Sequence, residues 1–157
     1  MKLSKLKGMP IISSDKGARV GTLYDVLIDP VKLEATSLLL GHHTGMGLLQ
    51  LSSIGNIGAD AITIHNPDEI QWATTRRRYA GYELGDLTKL PVVDVSGAAT
   101  GVLHDIEIHL PSGAITSLDV RRGSLFGPLT KTTEIPVCDV VSLEPTLVTV
   151  RFAAPAA

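Results

Sequence analysis

Residues 21–40, GTLYDVLIDPVKLEATSLLL, occur a second time as residues 101–120, GVLHDIEIHLPSGAITSLDV. At a constant offset of 80 the two stretches share Gly21/Gly101, Leu23/Leu103, Asp25/Asp105, Ile28/Ile108, Thr36/Thr116, Ser37/Ser117 and Leu38/Leu118, without a gap. An internal duplication restricts the fold to one that can be built twice in 157 residues, in units of roughly 70 residues each. A domain near 60 residues buries only about 60% of its unfolded surface, so the copies are expected to pack on each other, or chains to pair. The expected division is a first unit at 1–66, a linker or short helix at 67–85, a second unit at 86–152 and a flexible tail at 153–157.

Short apolar runs separated by Gly, Pro, Asp and Ser point to an all-β chain of two small barrels packed together. Pro10 to Ser13 reads as a first strand and the SDKG that follows as a turn. Alternation from Thr22 puts Thr22, Tyr24, Val26 and Ile28 on one face. The second copy places Val102, His104, Ile106 and Ile108 there, which marks this set as the core face and turns Asp25 and Asp105 outward. Asp29-Pro30 and Leu110-Pro111-Ser112-Gly113 end the strand, and return strands follow at 35–40 and 114–120. The copies then diverge through 41–47 and 121–129. They regain register where Leu49-Gln50-Leu51 matches Ile135-Pro136-Val137 and where 61–64 matches 147–150. Gly55 to Gly58 (GNIG) lacks the Lys and helix of a phosphate loop and reads as a turn. Asn66-Pro67-Asp68-Glu69 is a helix start, and Arg76 to Arg78 before Gly81 suit a helix end.

Each of these copies resembles the PRC-barrel family, the small β-barrel of the photosynthetic reaction-centre H subunit and of the C-terminal half of a ribosome maturation factor. The first carries the pattern as Gly21, Asp25, Ile28 and Leu38, the second as Gly101, Asp105, Ile108 and Leu118. The resemblance implies a non-enzymatic barrel that docks on other macromolecules, with Gly21, Asp25, Gly101 and Asp105 as motif positions that serve the fold. It supplies no catalytic residue. The H subunit would bring a membrane-spanning helix and the maturation factor a different N-terminal domain, and neither is expected here.

A net charge of −2 leaves no general attraction to nucleic acid or anionic membrane, so any such contact must be local. The single cysteine, Cys138, has no internal disulfide partner, which favours a reducing cytoplasm, and it reads as a small buried residue on a strand. No run approaches the ~20 apolar residues of a membrane span, so a soluble protein is expected. No nucleophile, base and orienter recur in a recognisable arrangement, and no cofactor motif is present; no enzyme is expected. Adjacent His42 and His43, and His104 and His109 on opposite strand faces, lack metal-ligand spacing, so no metal is expected.

Two basic segments remain as contact candidates. In the loop after the second return strand, Arg121, Arg122, Leu125 and Phe126 combine guanidinium groups with large apolar side chains, a composition that suits an interface anchor. Arg76, Arg77 and Arg78, flanked by Trp72, Tyr79 and Tyr82, could grip phosphate, stack on a base or touch lipid. The expected function is an adaptor or scaffold for another protein or protein complex. The alternatives are an RNA-processing or ribosome-assembly accessory, and a peripheral component of a membrane or photosynthetic complex.

Overall fold

The computed structural model describes residues 1–42, 45–73, 81–123 and 130–151. The first copy comprises β1 (Pro10–Ser13), β2 (Ala18–Asp29), β3 (Glu34–His42), β4 (Gly45–Gln50), β5 (Ile54–Ile57) and β6 (Ile62–Ile64). Between the copies stand β7 (Gln71–Ala73), β8 (Tyr82–Glu83) and the one-turn helix α1 (Leu84–Leu87). The second copy comprises β9 (Pro91–Asp94), β10 (Ala99–Ile108), β11 (Ile115–Gly123), β12 (Thr130–Pro136), β13 (Val140–Leu143) and β14 (Val148–Val150). Strand order is β5-β6-β1-β2-β3-β4 in one copy and β13-β14-β9-β10-β11-β12 in the other, so the duplicated sequence yields a duplicated topology. In both barrels the closing strand returns parallel to the first, β6 beside β1 and β14 beside β9.

The expected core face is corrected by a bulge. Against β3, β2 shifts register between Leu23 and Asp25, and against β11, β10 shifts between Leu103 and Asp105. One unpaired residue reverses the inward–outward order on either side of it. Leu23, Val26 and Ile28 therefore enter the core, as do Leu103, Ile106 and Ile108. Tyr24, Val102 and His104, expected inside, are exposed. Asp25 and Asp105, expected to face outward, are 4% and 3% exposed.

What buries the two aspartates is the opposite copy. Residues 1–6 cross to the second barrel, where the Ser4 amide donates to Asp105 Oδ1 at 3.1 Å and the Ser4 hydroxyl donates to Asp105 Oδ2. At the corresponding place the Gly85 amide of α1 donates to Asp25 Oδ2 at 3.1 Å. Each carboxylate also accepts its neighbour's amide, Val26 at 2.7 Å and Ile106 at 2.8 Å, so the burial is compensated by hydrogen bonds. The exchange continues along the backbone. β8 pairs with β2 through Leu27/Glu83 and Ile28/Tyr82, while Lys2 bridges Glu107 and the terminal amine of Met1 donates to Ile108 O at 2.9 Å. Each lead-in then turns back to its own barrel, Gly8 N to Leu23 O and Lys89 N to Leu103 O.

Leu3 and Leu6 of one lead-in and Leu84 and Leu87 of the other are buried in a single core that contains residues of both barrels. At ~1.5–3 kcal/mol for each buried leucine, the four contribute an upper figure of roughly 6–12 kcal/mol. That is comparable with the whole stability of an ordinary domain, about 5–15 kcal/mol, so each barrel depends on its neighbour. The hairpin ends add a third junction, Ala35 N to Gly113 O at 2.8 Å and Ile115 N to Leu33 O at 2.9 Å. Gly113 sits there at φ +78°, and a Cβ would overlap Ala35 O and Leu51 Cδ2.

Three local expectations also change. The Asn66 cap forms, with Asn66 Oδ1 accepting from the Asp68 amide at 3.0 Å, but it starts only the 3-10 turn Pro67–Glu69. Ile70 and Trp72 then fill the space left by Gly47, and β7 pairs with β4 in place of a helix. Gly55, Asn56 and Ile57 of GNIG lie on β5 and only Gly58 follows it, because Ile54 and Ile57 pair with β6. Cys138 is exposed in the 3-10 turn Val137–Asp139, where Pro136 ends β12.

Candidate functional site: the bulged ends of the two barrels

The bulge in β2 turns Tyr24 outward, 52% exposed, at the end of the barrel where β2 and β3 diverge. Tyr24, Arg19, Thr22, Leu23 and His42 line an open cavity of about 510 Å³. Arg19 is held across it by a 2.5 Å hydrogen bond to Thr22 Oγ1. On the other side of His42 a second cleft of about 260 Å³ is lined by Val20, Ile70 and Trp72. The His42 and Trp72 rings meet edge to face, 5.6 Å between centroids and 65° between planes, an arrangement matched to the aromatic quadrupole. Trp72 remains 44% exposed. Its position follows from Gly47, whose missing side chain is replaced by Ile70 and by the Trp72 ring at 3.0 Å from an ideal Cβ.

The offset of 80 carries this surface onto the second barrel with different chemistry. Tyr24 becomes His104, Thr22 becomes Val102, Gly41 becomes Arg121 and His42 becomes Arg122. Arg121 donates to His104 Nε2 at 2.8 Å, which requires that nitrogen to be the acceptor. Arg121 Nε is buried without a hydrogen-bond partner. Arg122 Nε donates to Thr100 O at 2.8 Å, and Arg122 lies directly opposite Lys131 on β12. One barrel thus presents aromatic rings with exposed edges; the other presents guanidinium groups and an ammonium suited to anionic groups.

Of the residues expected to make contacts, Arg121 and Arg122 stand together here. Leu125 and Phe126, and Arg76, Arg77 and Arg78, lie outside the described residues, as do His43, Tyr79 and the tail at 153–157. Gly101 has φ +145° and a Cβ there would stand 2.6 Å from Arg121 O; Gly21, less constrained, has Gly41 O 3.3 Å from its Cβ position. Asp25 and Asp105 serve the interlock between copies and are not at the surface. Sequence reasoning missed Arg19, Tyr24 and Lys131 as surface groups. The available signal was the Leu-x-Asp pattern at 23–25 and 103–105, in which the flanking residues repeat and the middle one does not.

Among the described residues no group of three or more His, Cys, Asp or Glu converges as a metal site, and no helix is long and apolar enough to cross a membrane. No match is found among curated proteins. A sequence model of the PRC-barrel domain matches residues 1–71 and 81–154, nearly the whole chain in two segments that coincide with the two sheets. The chain belongs to the PRC-barrel family and carries that domain twice, in tandem.

Proposed function

We propose that this chain is a non-enzymatic adaptor that binds another protein through the bulged ends of its barrels. The observation that supports this is the exposure of Tyr24 and Trp72 around His42 on two barrels that share one core. Large aromatic side chains left half in water are the residues that most often anchor protein interfaces, particularly beside arginine. The second barrel offers Arg121 and Arg122 at the equivalent place, so one chain presents two related but chemically distinct faces. Two modest contacts on one chain reinforce each other by effective concentration.

The test is capture of binding proteins from the native host by the immobilised full chain at moderate salt, with and without nuclease. Tyr24→Ala/Trp72→Ala and Arg121→Ala/Arg122→Ala are compared with the unmodified chain. Expected is loss of at least tenfold of a retained protein in one variant or both, with an unchanged urea midpoint. Retention equal in all three chains refutes the reading. Capture that disappears with nuclease assigns the arginine face to RNA instead, through phosphate contacts that weaken steeply with salt.

A further inference from the structure

The duplication supplies an internal control for sheet edges. In the first barrel the outer edge of β4 is covered by the chain itself, with β7 antiparallel to it through Met46/Ala73, Gly47/Trp72 and Leu48/Gln71. The corresponding strand of the second barrel is β12, aligned by the pairs Leu38/Leu49 and Leu118/Ile135. β12 pairs with β11 along its whole length, yet among the described residues no strand pairs with its other edge. It begins Thr130-Lys131-Thr132-Thr133-Glu134, a run without the proline, glycine or bulge that would blunt an edge, and Lys131, Thr132 and Glu134 are exposed.

Charge states what fits there. Arg122 and Lys131 face each other directly across β11 and β12, an unfavourable like-charge pair. In the first barrel the same two positions are His42 and Gly45, and Trp72 of the covering strand packs against His42. A strand added to β12 in the register of β7 would place its central side chain opposite Thr133 and beside Arg122 and Lys131. The ion pairs Met1–Glu107, Lys2–Asp119 and Lys7–Asp25 involve neither cation. A carboxylate in that position would stand between the two cations and offset one of their two charges.

We propose that the outer edge of β12, unpaired among the described residues, takes up an extended acidic segment of a partner protein, added antiparallel as an extra strand, with an Asp or Glu side chain seated between Arg122 and Lys131. Main-chain pairing supplies the attachment and the two cations supply the choice of sequence. The proposal rests on the adaptor reading and names the form of its partner.

The test pans phage-displayed random ten-residue peptides against the immobilised full chain. Enriched peptides are expected to carry Asp or Glu among β-branched residues. Their synthetic forms should bind Arg122→Glu/Lys131→Glu at least tenfold more weakly, bind Thr132→Pro at least tenfold more weakly, and bind Val31→Ala, at an exposed side chain of the first barrel, unchanged. Lys131→Glu alone, at an exposed side chain, should weaken binding severalfold in a chain of unchanged urea midpoint and guards against loss of fold. No enrichment, enrichment without acidic residues, or equal binding to the charge-reversed chain overturns the proposal. So does slow hydrogen exchange of alternate β12 amides in the free chain, which would mean that the chain covers its own edge. A dimer abolished by Thr132→Pro would assign the edge to a second copy and overturn it equally. Failed panning beside successful host-protein capture removes this proposal alone; failure of both removes the adaptor reading with it.

Discussion

Replacing Asp105 by Ala would leave the buried Ile106 amide, the Ser4 amide and the Ser4 hydroxyl without their acceptor. An orphaned donor costs ~1–3 kcal/mol, and the Ser4 groups can partly recover water, so the loss should be about 3–5 kcal/mol. Part of it is returned, because Asp105 lies directly opposite Asp119 and removing one charge relieves their repulsion. Ser4→Ala removes only the hydroxyl bond to a carboxylate and should cost about 1.5–2 kcal/mol. The double variant should cost little more than Asp105→Ala, giving a coupling of about 1–2 kcal/mol between residues 101 apart in sequence. Urea unfolding of the four chains, followed by far-ultraviolet circular dichroism, measures the cycle provided the m-value holds constant. Additivity within ~0.5 kcal/mol would show that Ser4 does not hold the second barrel and would refute the interlock.

Gly113→Ala should destabilise by more than 2 kcal/mol because a Cβ meets Ala35 O and Leu51, whereas Gly97→Ala, at φ +87° in open space, should cost about 1–2 kcal/mol; urea midpoints compare them. Leu3→Ala empties a fully buried site and should cost about 2–5 kcal/mol, again by urea unfolding. The Asp119 carboxylate, hydrogen-bonded to Lys2 at 3.0 Å, raises the lysine above its ordinary value. Its contribution is complete below the unfolded value near pH 10.4 and is lost as pH rises through the folded one, so the advantage over Lys2→Gln should vanish in strong alkali. Asp29 is lowered by the amides of Lys32 and Val31, and Asp94 by the Ser96 hydroxyl and the Ala98 amide. Both contributions are present above the unfolded value near pH 4 and fall away below it, so Asp29→Ala and Asp94→Ala should match the unmodified chain in acid while being less stable at pH 7.

The duplication was legible because Gly21/Gly101, Asp25/Asp105 and Thr36-Ser37-Leu38 kept one offset, and those matches locate the central hairpin of each barrel. The bulge left one trace, the unlike middle residue of Leu-x-Asp, and alternation masked it. A single unpaired residue at Tyr24 or His104 leaves the letters alternating while the faces exchange, and cross-strand partners are needed to place it. The lead-ins were hidden for a related reason. Leu3, Leu6 and Pro10 repeat as Leu84, Leu87 and Pro91 at an offset of 81, because six residues separate the paired Ile12 and Arg19 and only five separate the paired Val93 and Ala99. β7 was hidden by its own local chemistry. The Asn66 cap and Pro67 do start a turn, but Gly47, 19 residues earlier, offers Ile70 and Trp72 a better place in an extended chain.

The crossed lead-ins also set a timetable for synthesis. Asp25 waits 60 residues for the Gly85 amide, and Ser4 waits 101 residues for Asp105. At about 5–20 residues per second, the N-terminal segment spends roughly 5–20 s with Leu3 and Leu6 unsheltered before its seat on the second barrel exists. The first barrel therefore leaves the ribosome without its final covering, and residues made ahead of both barrels are among the last to find their place.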